Sequence, residues 1–122
     1  MIAIKSHLLA KNMLILLTMS RLKFLLQQEK VKIIVIKPGQ SPSYQYHHKR
    51  AEVWTVLSGK GKLRLNDEYI DMLPGKTYEI PVESHHQPIN DGTEDLVFVE
   101  VQVGSYFGED DIVRLEDKYG RV

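Results

Sequence analysis

From residue 31 onward, apolar and polar positions alternate with period two, broken by turn residues about every eight to twelve positions, which is the pattern of antiparallel strands with one buried face. VKIIVIKPG reads as a strand stopped by Pro38 and Gly39, and EVWTVLSGKGKLRL as two strands around a glycine-rich turn at Ser58 to Gly61. A further turn falls at Asn66 and Asp67, YIDMLPGKTYEIP gives two short strands around Pro74 and Gly75, and LVFVEVQV follows the NDGTED turn as another. With no room for crossover helices, this series predicts an all-β double-sheet jelly roll or closed barrel. Upstream, RLKFLLQQ alternates as a strand with Leu22, Phe24 and Leu26 on one face. The tail GEDDIVRLEDKYGRV breaks the alternation and reads as short and irregular, or helical from Glu109, where acidic residues suit a helix N-terminus. Trp54, Tyr78 and Phe98 read as core.

The 122 residues suit one domain able to bury a core. The chain has no cysteine, which excludes disulfides, thiolate zinc sites and a cysteine nucleophile, so any metal must be held by His, carboxylate or amide oxygen. Net charge is zero, yet residues 1–64 carry twelve Lys and Arg against two Asp and Glu, and residues 65–122 carry four against fourteen. The charges are scattered singly through strand-like segments, which gives no nucleic-acid footprint and instead predicts halves that interleave with opposite charges as cross-strand neighbours.

The apolar LLAKNMLILLTM is interrupted by Lys11 and Asn12 and falls short of the ~20 residues of a membrane span. No small-x-small cleavage site follows it, so no membrane partner or export is expected and a cytoplasmic protein is. Residues 1–30 are expected to be an ordered extension packing on the barrel or on a partner subunit, with Met19 as an alternative start, and 31–122 to be the folded domain. An extension such as MLILLT can add a strand to a neighbour's open sheet edge, which predicts a homodimer.

Candidate chemistry gathers in SYQYHHKRAEVW. Gln45 and His47 are two apart on a strand and share a face. If HHKRA makes a bend, Glu52 on the returning strand joins them, bringing an amide oxygen, an imidazole and a carboxylate together inside the barrel. A hard or borderline divalent cation takes such donors. IPVESHHQPIN offers a fourth ligand in His85 or His86.

The run of Gly39, five residues, Gln45, one, His47, four, Glu52, six, Gly59 resembles the first motif of the cupin superfamily, with Gln in place of the usual first His. Gly75, five residues, Pro81, four, His86, three, Asn90 is similar to the second, and this selects His86 over His85. QYHHKRAEVW, YEIPVESHHQPIN and VEVQVGSYFGEDDIVRLEDKYGR further resemble the C-terminal cupin domain of type II phosphomannose isomerases, which is usually joined to a mannose-1-phosphate guanylyltransferase. The resemblance runs from about Val31 to Arg121.

This resemblance implies a cupin double-stranded β-helix and metal ligands Gln45, His47, Glu52 and His86. It implies one divalent ion, zinc first, with cobalt, manganese, nickel or iron as alternatives. The implied activity is interconversion of mannose 6-phosphate and fructose 6-phosphate, serving GDP-mannose and polysaccharide synthesis. Candidate proton carriers are Glu109, Asp110 and His48; candidate phosphate partners are Arg50, Lys49, Lys62 and Arg114, because a phosphate dianion needs charge-assisted donors. The pattern departs from the family at Glu83, which stands where the second motif has Gly, and at Lys49 and Val53, which replace histidines; the Arg-Pro-Trp-Gly segment that usually enters the domain is missing. With no guanylyltransferase half in view, a stand-alone isomerase-type domain is expected. Two rival readings remain: a non-catalytic metal-containing sugar-phosphate binding cupin that partners a separate guanylyltransferase, and an iron-dependent cupin oxygenase.

Overall fold

The computed structural model describes residues 2–8, 28–118 and 120–121, with side chains from residue 28 on. Its strands are β1 (Ile2–Leu8), β2 (Gln28–Ile36), β3 (Tyr44–His47), β4 (Arg50–Ser58), β5 (Gly61–Leu65), β6 (Glu68–Met72), β7 (Thr77–Ile80), β8 (His86–Ile89), β9 (Leu96–Gly104) and β10 (Ile112–Glu116). They form two five-stranded sheets, ordered β1-β2-β9-β4-β7 and β10-β3-β8-β5-β6. This is the double-stranded β-helix jelly roll expected of a cupin. Of consecutive strands only β1 and β2, and β5 and β6, share a sheet, so the chain crosses at every other connection, including those between β3 and β4, β4 and β5, and β6 and β7. The segments around the expected bend and glycine turns therefore carry the chain across the barrel, while the left-handed Asn66 (φ 48) and Asp67 (φ 68) close the hairpin between β5 and β6.

Period-two patterning fixes the layers. On the inner face of the first sheet, Ile34 and Ile36 of β2, Trp54 and Val56 of β4, and Leu96 and Phe98 of β9 are buried; Leu63 and Met72 meet them from the second sheet. Trp54 and Phe98 pack with ring centroids 4.7 Å apart, and each such side chain contributes roughly 1.5–3 kcal/mol of burial. Farther along the same strands the inward residues turn polar: Lys32 on β2, Glu100 and Gln102 on β9, Arg50 and Glu52 on β4. One end of the barrel is thus an apolar core and the other a polar chamber.

The charge asymmetry resolves as cross-strand pairing. Lys32 lies in register with Glu100, and Lys37–Asp95 (2.8 Å) and Arg64–Glu116 (3.1 Å) join the basic half to the acidic one.

Two elements differ from the sequence expectation. The tail does not stay irregular after its 3-10 turn at Glu109–Asp111: Ile112–Glu116 forms β10, paired with β3. This strand is too short, and too crowded by acidic neighbours, for its alternation to stand out. The polar HQPI of β8 gave no strand signal either, and its pairing with β5 supplies what the pattern lacks. Segment RLKFLLQQ lies outside the described residues except for its last, Gln28, and MLILLT lies wholly outside them. Residues Ile2–Leu8 pair antiparallel with β2 of the same chain. No helix among the described residues is long and apolar enough to cross a membrane.

Glu83 has φ 66, the left-handed conformation that costs an L residue about 1–2 kcal/mol and that the glycine of the second motif adopts freely. The backbone is held there because Glu83 N donates to His47 O (2.8 Å), and this ties the loop before β8 to the end of β3.

Candidate metal centre

Three local devices position the ligating side chains. Strand β3 ends at His47 in one sheet, and after the bend at His48 and Lys49 strand β4 starts in the other, so His47 and Glu52 face each other across the interior. The buried Asp111 carboxylate pins this bend by accepting the backbone N–H groups of His48 (3.2 Å) and Lys49 (3.0 Å). Gly104 opposite it is required, because a Cβ there would collide with Lys49 O. The third device is the bridge between β3 and β8, which sets Gln45 beside His86.

His47, Glu52 and His86 are each at most 2% exposed, and one ligating atom from each lies within 4.8 Å of the others. His47 Nε2 is 3.1 Å from Glu52 Oε2, and His86 Nε2 is 3.7 Å from Glu52 Oε1. His86 Nδ1 donates to Ser84 O (2.8 Å), which leaves Nε2 as a buried lone pair with no partner. Arg50 Nη2 also lies 3.2 Å from His47 Nε2. Two imidazole nitrogens and a carboxylate thus converge. Atoms that share one ion tetrahedrally at about 2.0–2.2 Å are themselves about 3.3–3.6 Å apart, close to the 3.1 and 3.7 Å found here, so these residues suit a divalent cation with small adjustment.

The electrostatics agree. Burial pushes the His86 imidazole down, keeping it neutral with Nε2 free. Burial also opposes ionisation of Glu52, but His47, His86, Glu100 and Arg50 outweigh it and hold that carboxyl well below the usual range. Arg50, buried, donates Nε to Glu52 Oε2 (3.1 Å) and Nη1 to Phe107 O (3.4 Å).

Behind Glu52 lies a second carboxyl that the sequence reading missed. Trp54 Nε1 is shared between Glu52 Oε1 (2.9 Å) and Glu100 Oε1 (3.1 Å), and Gln102 Nε2 donates to Glu100 Oε2 (2.8 Å). Burial, then the charge of Glu52, pushes Glu100 well above the usual carboxylate range, so the pair holds one proton, on Glu100. A group whose pKa is raised on folding contributes stability that is complete below its unfolded pKa and is lost as pH rises through its folded pKa. In metal-free protein, Glu100→Gln, which keeps the shape of the protonated acid, is therefore expected to remove that alkaline loss. Urea denaturation across pH should show a stability gain over the parent that grows with pH above the ordinary carboxylate range. A constant difference would contradict the shared proton.

A cavity of about 150 Å³ opens beside this cluster, room for a few waters or one end of a small polar ligand. Gln45 lines it, with Oε1 accepting from Ser43 Oγ (2.9 Å); Arg50, Arg114 and the exposed Glu109 line it as well. Arg114 Nε is buried without a partner. The other candidates lie elsewhere: Asp110 is exposed and accepts from Tyr106, His48 is exposed beside Glu83 (3.2 Å), and Lys49 sits 5.1 Å from the centre of the Tyr106 ring. Lys62 is ion-paired with Asp71 on the outside of its sheet, and His85 packs on the rings of Tyr44 and Tyr46. A larger hollow, about 400 Å³, lies among the turns at Gly59, Pro74 and Gly92, away from the His47, Glu52 and His86 cluster.

Besides Glu100, the sequence reading passed over Lys32, Gln102 and the anchoring role of Asp111. The signal was present in part: Lys32 shares its parity with Ile34 and Ile36, and Glu100 and Gln102 share theirs with Leu96 and Phe98, which places polar groups on a buried face.

A family profile described as mannose-6-phosphate isomerase C-terminal matches residues 24–117. The chain is similar to alginate biosynthesis protein AlgA of Pseudomonas aeruginosa, at 47% identity over 91 residues, covering 75% of this chain and 19% of that protein. It is similar to a mannose-1-phosphate guanylyltransferase of Klebsiella pneumoniae, at 42% identity over 91 residues, covering 75% of this chain and 19% of the other. The chain thus spans about a fifth of the length of these relatives. Among solved structures, that of a proposed sugar phosphate isomerase from Acidithiobacillus ferrooxidans superposes with a TM-score of 0.58 at 34% identity, covering 62% of this chain and 49% of that one.

Proposed function

The chain belongs to the family of mannose-6-phosphate isomerase C-terminal domains, and from that premise we propose that it interconverts mannose 6-phosphate and fructose 6-phosphate with the help of a bound divalent ion. The observation that carries the reading is the convergence of the buried His47, Glu52 and His86 donors, next to a polar cavity lined by Gln45, Arg50, Trp54 and Glu100. Gln45, in register with His86 and lining the cavity, supplies the fourth donor. An all-nitrogen-and-oxygen set suits zinc, with cobalt, manganese, nickel or iron able to replace it. When bound, the ion supplies Lewis-acid polarisation of the sugar's carbonyl and hydroxyl oxygens.

The isomerisation moves a proton from C2 to C1 while the carbonyl passes from C1 to C2 through an enediol, so the chain must provide a proton carrier and hold the sugar still. Of the candidates, Glu109 lines the cavity, whereas Asp110 and His48 point into solvent; we assign the proton to Glu109. Arg114, a planar fork on the cavity wall, holds the phosphate. In the reverse direction the mannose 6-phosphate formed would feed GDP-mannose and polysaccharide synthesis, in keeping with the alginate relative.

A second reading is favoured by Lys49 and Val53, which stand where the family's histidine run is usually found: the domain binds a sugar phosphate without turnover and serves a separate guanylyltransferase. A coupled assay for fructose 6-phosphate formation by the zinc-, cobalt- or manganese-loaded chain separates the two. Turnover that disappears with metal removal is the expected result. Saturable binding of mannose 6-phosphate without turnover would reject the isomerase and leave the binding module.

A further inference from the structure

We propose that Lys32 faces Arg114 across the cavity and completes a two-sided cationic clamp for the phosphate of a sugar-phosphate ligand. The inference rests on the functional reading above and deepens it by naming a specificity residue on the opposite sheet.

Lys32 is on β2 and Arg114 on the edge strand β10, so the two belong to different sheets, and both line the cavity beside the His47, Glu52 and His86 cluster. Lys32 shares the inward face of Ile34 and lies in register with Glu100, itself in register with Trp54. Arg114 lies in register with Gln45, which pairs with His86. Of the proposed ligands, Gln45 itself lines this cavity along with the two cations.

These two cations differ from others in the fold. Arg50, Lys37, Lys62 and Arg64 are each engaged by a carboxylate. Neither Lys32 nor Arg114 has a hydrogen-bond or ion-pair partner among the described residues. The acid in register with Lys32 is Glu100, whose carboxyl oxygens are engaged instead by Trp54 Nε1 and Gln102 Nε2. Burial pushes the Lys32 amine down, as expected for a half-desolvated charge with no partner. A cation kept at that cost is balanced when an anion arrives.

A phosphate dianion presents three oxygens. A guanidinium takes two in a fork from one wall, and an ammonium meets the third from the other as a compact charge. A neutral sugar offers neither wall a counter-charge, so the clamp discriminates for the phosphorylated ligand.

The test titrates the parent, Lys32→Met and Lys32→Arg with inorganic phosphate, mannose 6-phosphate and mannose, following binding by calorimetry and bound metal by elemental analysis. Lys32→Met is expected to weaken both phosphate and mannose 6-phosphate by about tenfold or more, with bound metal unchanged and Lys32→Arg restoring part of the affinity. Lys32-dependent binding of inorganic phosphate without any binding of mannose 6-phosphate would keep the clamp and reject the functional reading. Equal affinity of parent and Lys32→Met for mannose 6-phosphate would overturn the clamp and leave that reading standing.

Discussion

Replacing His86 by alanine is expected to abolish stoichiometric binding of a divalent ion, whereas replacing its neighbour His85 leaves it intact. The two residues are adjacent in sequence and opposite in environment. His86 is 1% exposed, holds its Nδ1 proton on Ser84 O and points an unpartnered Nε2 toward Glu52. His85 lies against Tyr44 and Tyr46 on the other face of its sheet. Loss of a group that only orients a ligand commonly costs 10- to 100-fold in affinity, so loss of a ligand should cost more than about a hundredfold. Competitive titration against a chromogenic chelator measures both variants. Equal affinities for the two would place the ion elsewhere.

The second large effect is on stability. Arg50→Met should destabilise the metal-free protein by about 3–5 kcal/mol, because it leaves the Glu52 carboxylate buried without its nearest counter-charge. Arg50 is 5% exposed, and its donors reach Glu52 Oε2, His47 Nε2 and Phe107 O, so methionine keeps the stem and removes all three contacts. A cation bound to the same carboxylate replaces part of the missing charge, and mass action then stabilises the folded state. The variant's deficit in urea denaturation should therefore shrink when zinc is in excess over chelator. A deficit equal with and without zinc would mean that Arg50 serves packing alone and that the ion does not meet Glu52.

Much of this site was legible because strand parity and motif spacing carry it. Gln45 and His47 share a face by being two apart, and the HHKRA bend returns the chain at Glu52; the structure adds only that the return is to the opposite sheet. The spacing from Pro81 chose between two adjacent histidines, and Ser84 O explains the choice physically by fixing the tautomer of His86. What stayed hidden depends on contacts far apart in sequence. Asp111 looked like a helix cap and instead anchors the bend at His48 and Lys49, some 62 residues away. Glu100 looked like one polar position in an apolar strand, and only its meeting with Glu52 and Trp54 gives it a proton to share. Lys32 read as a strand charge, since its unpartnered state shows only once β2 and β10 enclose a cavity. Strand β8 was masked by its own chemistry, because Pro88 and the polar His86 and Gln87 suppress the alternation that marks strands elsewhere.

The central claim is that the His47, Glu52 and His86 chamber supports proton transfer between C1 and C2 of a phosphorylated sugar. Incubating the zinc-loaded chain with mannose 6-phosphate in D₂O, and following carbon-bound protons by NMR, tests it most directly. The account predicts fructose 6-phosphate carrying deuterium at C1, with solvent label also entering C2 of recovered mannose 6-phosphate, and loss of both in His86→Ala. Fully metal-loaded protein that binds mannose 6-phosphate yet neither converts it nor exchanges its C2 hydrogen would contradict the account.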